Sequence, residues 1–214
     1  MIARRRFLGA LLAGAVLAAF PGLVLADDGG DFFRAVEMDD ARTVNALLGR
    51  GFDPNAANGA GEPALVLAVR EGSAQVLAAL LAHPRIRVDA QAANGNTALM
   101  MAAFKRDRPA VEALLAKGAA VNREGWTPLH YAAAGGDVDI ATLLLKRGAR
   151  IDARSPRPSG SYTPLMMAAR EGHLDCARFL AAQGASRTLK NGEGLDAAAI
   201  AERAGHAGIA QALH

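Results

Sequence analysis

The chain has 214 residues, of which 51% are hydrophobic but only 5% aromatic, and 24 basic against 21 acidic side chains give a formal charge of +3. That length suffices for one sizeable core or for a row of small units sharing one. An apolar fraction made mostly of Ala, Leu and Val favours thin, closely packed helices over a deep aromatic-lined pocket, and the single cysteine, Cys176, excludes an intramolecular disulfide.

The N-terminus reads "MIARRRFLGALLAGAVLAAFPGLVLADDGG". Arg4, Arg5 and Arg6 precede an uncharged run from Phe7 to Ala26, with Pro21-Gly22 shortly before the small residue Ala26. This layout predicts a secretory signal peptide over residues 1–26, cleaved after Val24-Leu25-Ala26, and a mature domain over 27–214. "RRRFL" is similar to a twin-arginine export signal, although Ala3 stands where Ser or Thr is usual. An ordinary Sec signal is the alternative route, and an uncleaved anchor over residues 7–26 is the alternative fate, since that run can just span a bilayer. Cleavage would place the protein in a periplasm or otherwise outside the cytoplasm. Removing three arginines from 24 basic residues leaves 21 against 21 acidic ones. A balanced surface argues against a nucleic-acid partner.

Beyond the leader the chain repeats itself. "EPALVLAVREGS", "NTALMMAAFKRD", "WTPLHYAAAGGD" and "YTPLMMAAREGH" superimpose, and "LDAAAIAERAGH" is a weaker copy. Each precedes a second apolar run such as "VDIATLLLKRGA" or "LDCARFLAAQGA". The marker residues Leu65, Leu99, Leu129 and Leu165 lie 34, 30 and 36 residues apart. Thr127 is suited to cap a helix whose first position is Pro128, where a missing N–H costs nothing. Leu129, Ala132 and Ala133 share one face, and Gly135-Gly136 stops the helix. Asp137 is suited to cap the next helix, whose stripe is Ile140, Leu143 and Leu144, and Gly148 ends it. Neither helix is long enough to be stable alone, so stacking must supply most of the stabilisation. Cys176 lies at helical spacing from Phe179 and Leu180 and reads as a buried, unreactive thiol.

On "GWTPLHYAA", "LLLKRGARID", "YTPLMMAAREGHLD" and "LLAKGAAVN", at a period near 33 residues, the chain resembles the ankyrin-repeat family. The resemblance implies an all-α solenoid of stacked antiparallel helix pairs with hairpin-like loops. Its approximate units are 31–61, 62–95, 96–125, 126–161, 162–194 and 195–214. It implies a protein-binding scaffold and no enzyme. The third unit departs from the pattern, with Arg106-Asp107 where Gly-His is expected, so its first helix should end less cleanly. The loop "VNREGW" is short, whereas "IDARSPRPSGSY" is long and carries two prolines, which predicts a stiff, protruding loop.

The resemblance assigns His130 to hydrogen bonds within and between units rather than to catalysis. Its counterparts Val66, Met100 and Met166 cannot relay protons. His173 and His206 sit in matching turns and read as turn residues. No phosphate loop or nucleophile elbow is present. The expectation is therefore no catalytic residue, no metal and no cofactor. Carried over residue by residue, the family's finger-and-concave-face surface points to Phe104, Lys105, Trp126, Tyr131, Arg157, Tyr162, Arg170 and Glu171. The Trp and both Tyr of the chain fall in this set, and such residues are enriched at binding hot spots. The expected partner is an unidentified protein, with no small-molecule substrate and no membrane contact except through an uncleaved N-terminus, and the expected state is a monomer. An inhibitor or immunity protein against an envelope-acting toxin or enzyme is the alternative role, and an enzyme assembled on the stack is the remote one.

Overall fold

The computed structural model describes residues 28–214, so the expected leader over 1–26 lies outside the described residues. The described chain forms six helix pairs. They are α1 (Asp28–Glu37) with α2 (Ala41–Gly49), α3 (Ala64–Glu71) with α4 (Ala74–Ala82), and α5 (Ala98–Phe104) with α6 (Arg108–Ala116). Then follow α7 (Pro128–Gly135) with α8 (Val138–Lys146), α9 (Pro164–Glu171) with α10 (Leu174–Ala182), and α11 (Ala197–Arg203) with α12 (Ala207–Leu213). Among the described residues no helix is long and apolar enough to cross a membrane. The fold is an all-helical solenoid, as the sequence pattern implies.

Local chemistry sets the boundaries. Asp107 Oδ1 accepts the Ala110 N–H at 3.0 Å and Asp137 Oδ1 accepts the Ile140 N–H at 2.9 Å, each satisfying a donor that the helix start leaves free. At the end of α8, Gly148 adopts φ +84° and the Ala149 N–H returns to the Leu144 carbonyl at 3.0 Å, which closes the helix with a left-handed turn. The odd-numbered helices carry the alanines. Ala102 and Ala103, Ala132 and Ala133, Ala168 and Ala169 are all fully buried, and α3, α5, α7, α9 and α11 pack in one continuous row. The even-numbered helices, with longer Leu and Ile side chains, meet their neighbours less closely. Closer spacing on one side bends the stack, and the odd helices therefore line its concave face.

Between units the chain projects as fingers. Bridges pair Ala57 with Pro63 and Gln91 with Thr97. A ladder that the sequence reading did not anticipate joins each finger base to the next. Asn55, Asp89, Asn122 and Asp152 accept the backbone N–H of Arg87, Ala120, Arg150 and Ser186 at 2.7, 2.9, 2.8 and 3.0 Å. An Asn or Asp recurs at that place in the first four units because the next finger base offers each of them a backbone donor.

The third unit behaves as its departure predicts. Helix α5 has seven residues where α3, α7 and α9 have eight, and Arg106 takes φ +61° at the position that Gly72, Gly136 and Gly172 fill elsewhere. The long loop contains a 3-10 turn at Arg157–Ser159 whose residues face solvent.

Candidate protein-binding concavity

His130 occupies N3 of α7 and is completely buried. Its Nδ1 accepts the Thr127 N–H at 3.1 Å and lies 2.9 Å from Thr127 Oγ1, while Nε2 lies 3.0 Å from the Tyr162 carbonyl of the next unit. A carbonyl can only accept, so Nε2 carries the proton and Nδ1 is bare. Burial pulls the imidazole down from 6.5 to about 4, against the opposing pull of the Tyr162 carbonyl. With both nitrogens engaged, the ring fastens unit to unit. Met166 does the local part of this work in α9, its Sδ taking the Thr163 N–H at 3.3 Å. His173 likewise joins units, its Nε2 donating to the Ala134 carbonyl at 2.9 Å. Burial pushes the Cys176 thiol up to about 12, and nearby Asp137 adds to the shift, so it stays protonated and inert.

A concavity of about 330 Å³ opens on the concave face, lined by Phe104, Trp126, His130, Tyr131, Ala134, Met167, Arg170 and Glu171. Its origin is a deletion of side chains. At the end of α7 stand Ala134 and Gly135, where α3 and α9 carry Arg70-Glu71 and Arg170-Glu171. Gly135 also has no room for more, since a Cβ there would lie 2.8 Å from the Phe104 carbonyl oxygen. The gap is then bordered by aromatic rings set edge to face. Trp126 meets His130 at 5.2 Å and 77°, and Phe104 meets Tyr131 at 6.4 Å and 87°. Edge-to-face pairs orient rings firmly, so the wall is preformed. The Tyr131 hydroxyl donates to Asn96 Oδ1 at 2.5 Å, bracing the wall against the preceding finger. Phe104 remains 51% exposed at the rim.

The opposite rim is polar but neutral. Arg170 and Glu171 form an ion pair at 2.7 Å, and the Arg170 guanidinium lies 5.2 Å over the Tyr162 ring. A net-neutral, ring-walled hollow suits an apolar or aromatic side chain carried on a larger molecule.

Of the eight residues singled out from sequence, Phe104, Trp126, Tyr131, Arg170 and Glu171 converge on this concavity. Three do not line it. Tyr162, expected as an exposed finger aromatic, is only 7% exposed. The long loop folds back over it, and a Cβ at Gly160 would come within 2.5 Å of its ring. Lys105 turns aside to donate from Nζ to the Arg70 carbonyl at the end of α3. Arg157 sits on the solvent-facing 3-10 turn beside a different hollow. Met167 and His130 were not anticipated as lining residues. Met167 reads as core from its apolar pattern, and it is indeed 5% exposed, yet it supplies part of the floor.

Family models described as "Ankyrin repeats (3 copies)" match residues 32–123 and 83–155, and one described as "Ankyrin repeat" matches 161–192. Human transient receptor potential cation channel subfamily A member 1 is 35% identical over 117 residues, 53% of this chain and 10% of its own length. Mouse SH3 and multiple ankyrin repeat domains protein 1 is 39% identical over 129 residues, 56% of this chain and 6% of its own length. The chain thus spans a tenth or less of these relatives. The crystal structure of the ankyrin repeat domain of Bcl-3, described as a unique member of the IkappaB protein family, superposes with a TM-score of 0.68 at 28% identity. That match covers 79% of this chain and 76% of that one.

Proposed function

The chain belongs to the ankyrin-repeat family, and from that premise we propose that it is a protein-interaction scaffold acting outside the cytoplasm. The partner's apolar or aromatic side chain enters the concavity between α5, α7 and α9. The observation that carries the reading is the hollow itself. It lies where the α7 unit lacks the Arg-Glu pair that α3 and α9 carry, and four aromatic or heteroaromatic rings wall it. His130, the one histidine placed where a catalyst would be sought, has both nitrogens committed to the scaffold. That supports binding over chemistry. The export part of the proposal rests on the basic start, uncharged run and Val24-Leu25-Ala26 of the N-terminus.

Ala134→Arg tests the site, because it restores the side chain that α3 and α9 carry and so fills the hollow without disturbing the core. Affinity capture from an envelope fraction, read by mass spectrometry, should recover a protein with the wild-type chain and lose it with the variant at unchanged melting temperature. Equal recovery with both chains would remove the concavity from the proposal. If the captured protein is an enzyme or toxin whose activity falls on mixing, the role is inhibition rather than adaptor assembly.

A further inference from the structure

A second hollow, of about 610 Å³, lies between the last two fingers, those that lead into α9 and α11, and is lined by Arg154, Ser155, Arg157, Ser161, Asn191 and Gly192. It shares no lining residue with the aromatic concavity and does not depend on that site's role. Its polar side chains are two guanidiniums, two hydroxyls and one amide, and no carboxylate is among them. Arg154 spends one N–H on the Lys190 carbonyl at 2.9 Å, which anchors the guanidinium without neutralising it. Arg157 is exposed on its 3-10 turn, and neither arginine is paired with a carboxylate among the described residues.

Asn191 is the buried member of the set, at 6% exposure. Its Oδ1 accepts the N–H groups of Glu193 and Leu195, both at 2.9 Å, which fixes the orientation of the amide. The Nδ2 donors then face away from their own turn and have no hydrogen-bond partner among the described residues. Asn58 makes the same turn in an earlier finger, accepting from Ala60 and Glu62 at 3.0 Å, but it is half-exposed and its amide can reach water. The difference is the long loop, whose Gly160 carbonyl takes the Gly192 N–H at 2.8 Å and closes over Asn191. A buried donor without an acceptor, in a hollow whose two charged side chains are both guanidiniums, calls for an acceptor from outside.

We propose that this hollow binds an oxyanion, a carboxylate or a phosphate, gripped by the Arg154 and Arg157 guanidiniums with Ser161 and Asn191 as further donors. The planar guanidinium fork matches both groups, so chemistry alone does not separate an acidic side chain of a bound protein from free phosphate. Calorimetric titration of the protein with sodium phosphate, and separately with a glutamate-rich hexapeptide, separates them, each run against potassium chloride at matched ionic strength. At least one probe should bind and, at about tenfold excess over its Kd, raise the melting temperature by roughly 3–6 °C. Phosphate alone identifies a free anion as the ligand, and the peptide alone identifies an acidic segment. Arg154→Gln with Arg157→Gln should weaken binding at least about tenfold, as solvent-facing guanidinium contacts to an anion do. Asn191→Asp keeps the Oδ1 bonds but places a fixed carboxylate in the hollow. It should raise the melting temperature without ligand and abolish the phosphate or peptide response. No binding by the wild-type chain beyond chloride, or an affinity unchanged in the two-arginine variant, overturns the proposal.

Discussion

Trp126 and Tyr162 stand at the same place in consecutive units, each just before a Thr-Pro-Leu that starts a helix, yet one is half-exposed and the other buried. The loops ahead of them decide this. The loop before Trp126 is short and ends at Gly125, so the indole is left leaning on His130 and Tyr131 at the edge of the concavity. The loop before Tyr162 is longer and turns back through Pro156 and Gly160. There Ser155 holds Tyr162 from both sides, its N–H donating to the Tyr162 carbonyl and its Oγ accepting the Tyr162 N–H, each at 2.8 Å. Register within the repeat assigns a residue to a side of the stack, and loop length assigns its exposure.

Alanine at the two positions should therefore break different properties. Tyr162→Ala empties a site in the buried core and should cost about 3–5 kcal/mol of stability, read by urea denaturation. Trp126→Ala should leave most of the stability in place and weaken partner binding by about tenfold or more, roughly 1.4 kcal/mol. If the two variants lose stability alike, the contrast between the fingers is wrong.

The same contrast explains what could be read in the sequence. The helix pairs were legible because Thr-Pro starts, Ala pairs and Gly stops recur, and each has a local physical cause. Phe104, Trp126, Tyr131, Arg170 and Glu171 were legible as one surface because repeat register alone puts them there. Tyr162 was not, because its burial depends on a loop closing over it from outside the pattern. Lys105 does not line the concavity because its flexible cation reaches back to a carbonyl at a helix end, that of Arg70. Asn191 gave no signal at all, since "KNGEGLD" looks like the earlier "ANGAGEP" until the neighbouring finger covers it.

His130 links the two fingers, and acid should sever that link. Its folded value near 4 lies below its ordinary 6.5, so the neutral ring's contribution is fully present above about pH 6.5 and is lost as pH falls through 4. The shift corresponds to about 3 kcal/mol by pH values below 4. Chemical denaturation between pH 7 and pH 4 should show this loss in the wild-type chain. His130→Met, which installs the residue that α5 and α9 use at this position, should start less stable because the Tyr162 carbonyl keeps the Ser155 N–H but loses the Nε2 hydrogen bond that ties the two units together. Its denaturation should then show little of the acid-dependent step. A step of equal size in both would place the acid sensitivity elsewhere.

The smallest effect separates strain from purpose at the mouth of the concavity. Arg106 ends α5 in the left-handed region, φ +61°, where Gly72, Gly136 and Gly172 serve the other units. For a residue with a Cβ that conformation costs about 1–2 kcal/mol. Arg106→Gly relieves this cost but loosens the unfolded chain by about 0.4–1 kcal/mol. It also removes a 3.5 Å contact to Asp137 that is exposed on the arginine side and worth at most about 1 kcal/mol. The expected balance is a gain of less than about 1 kcal/mol, measurable by denaturant midpoint at unchanged slope. A loss instead would mean that the Arg106–Asp137 contact outweighs the strain. The early end of α5, and with it the exposure of Phe104, would then be held in place by that contact rather than merely tolerated.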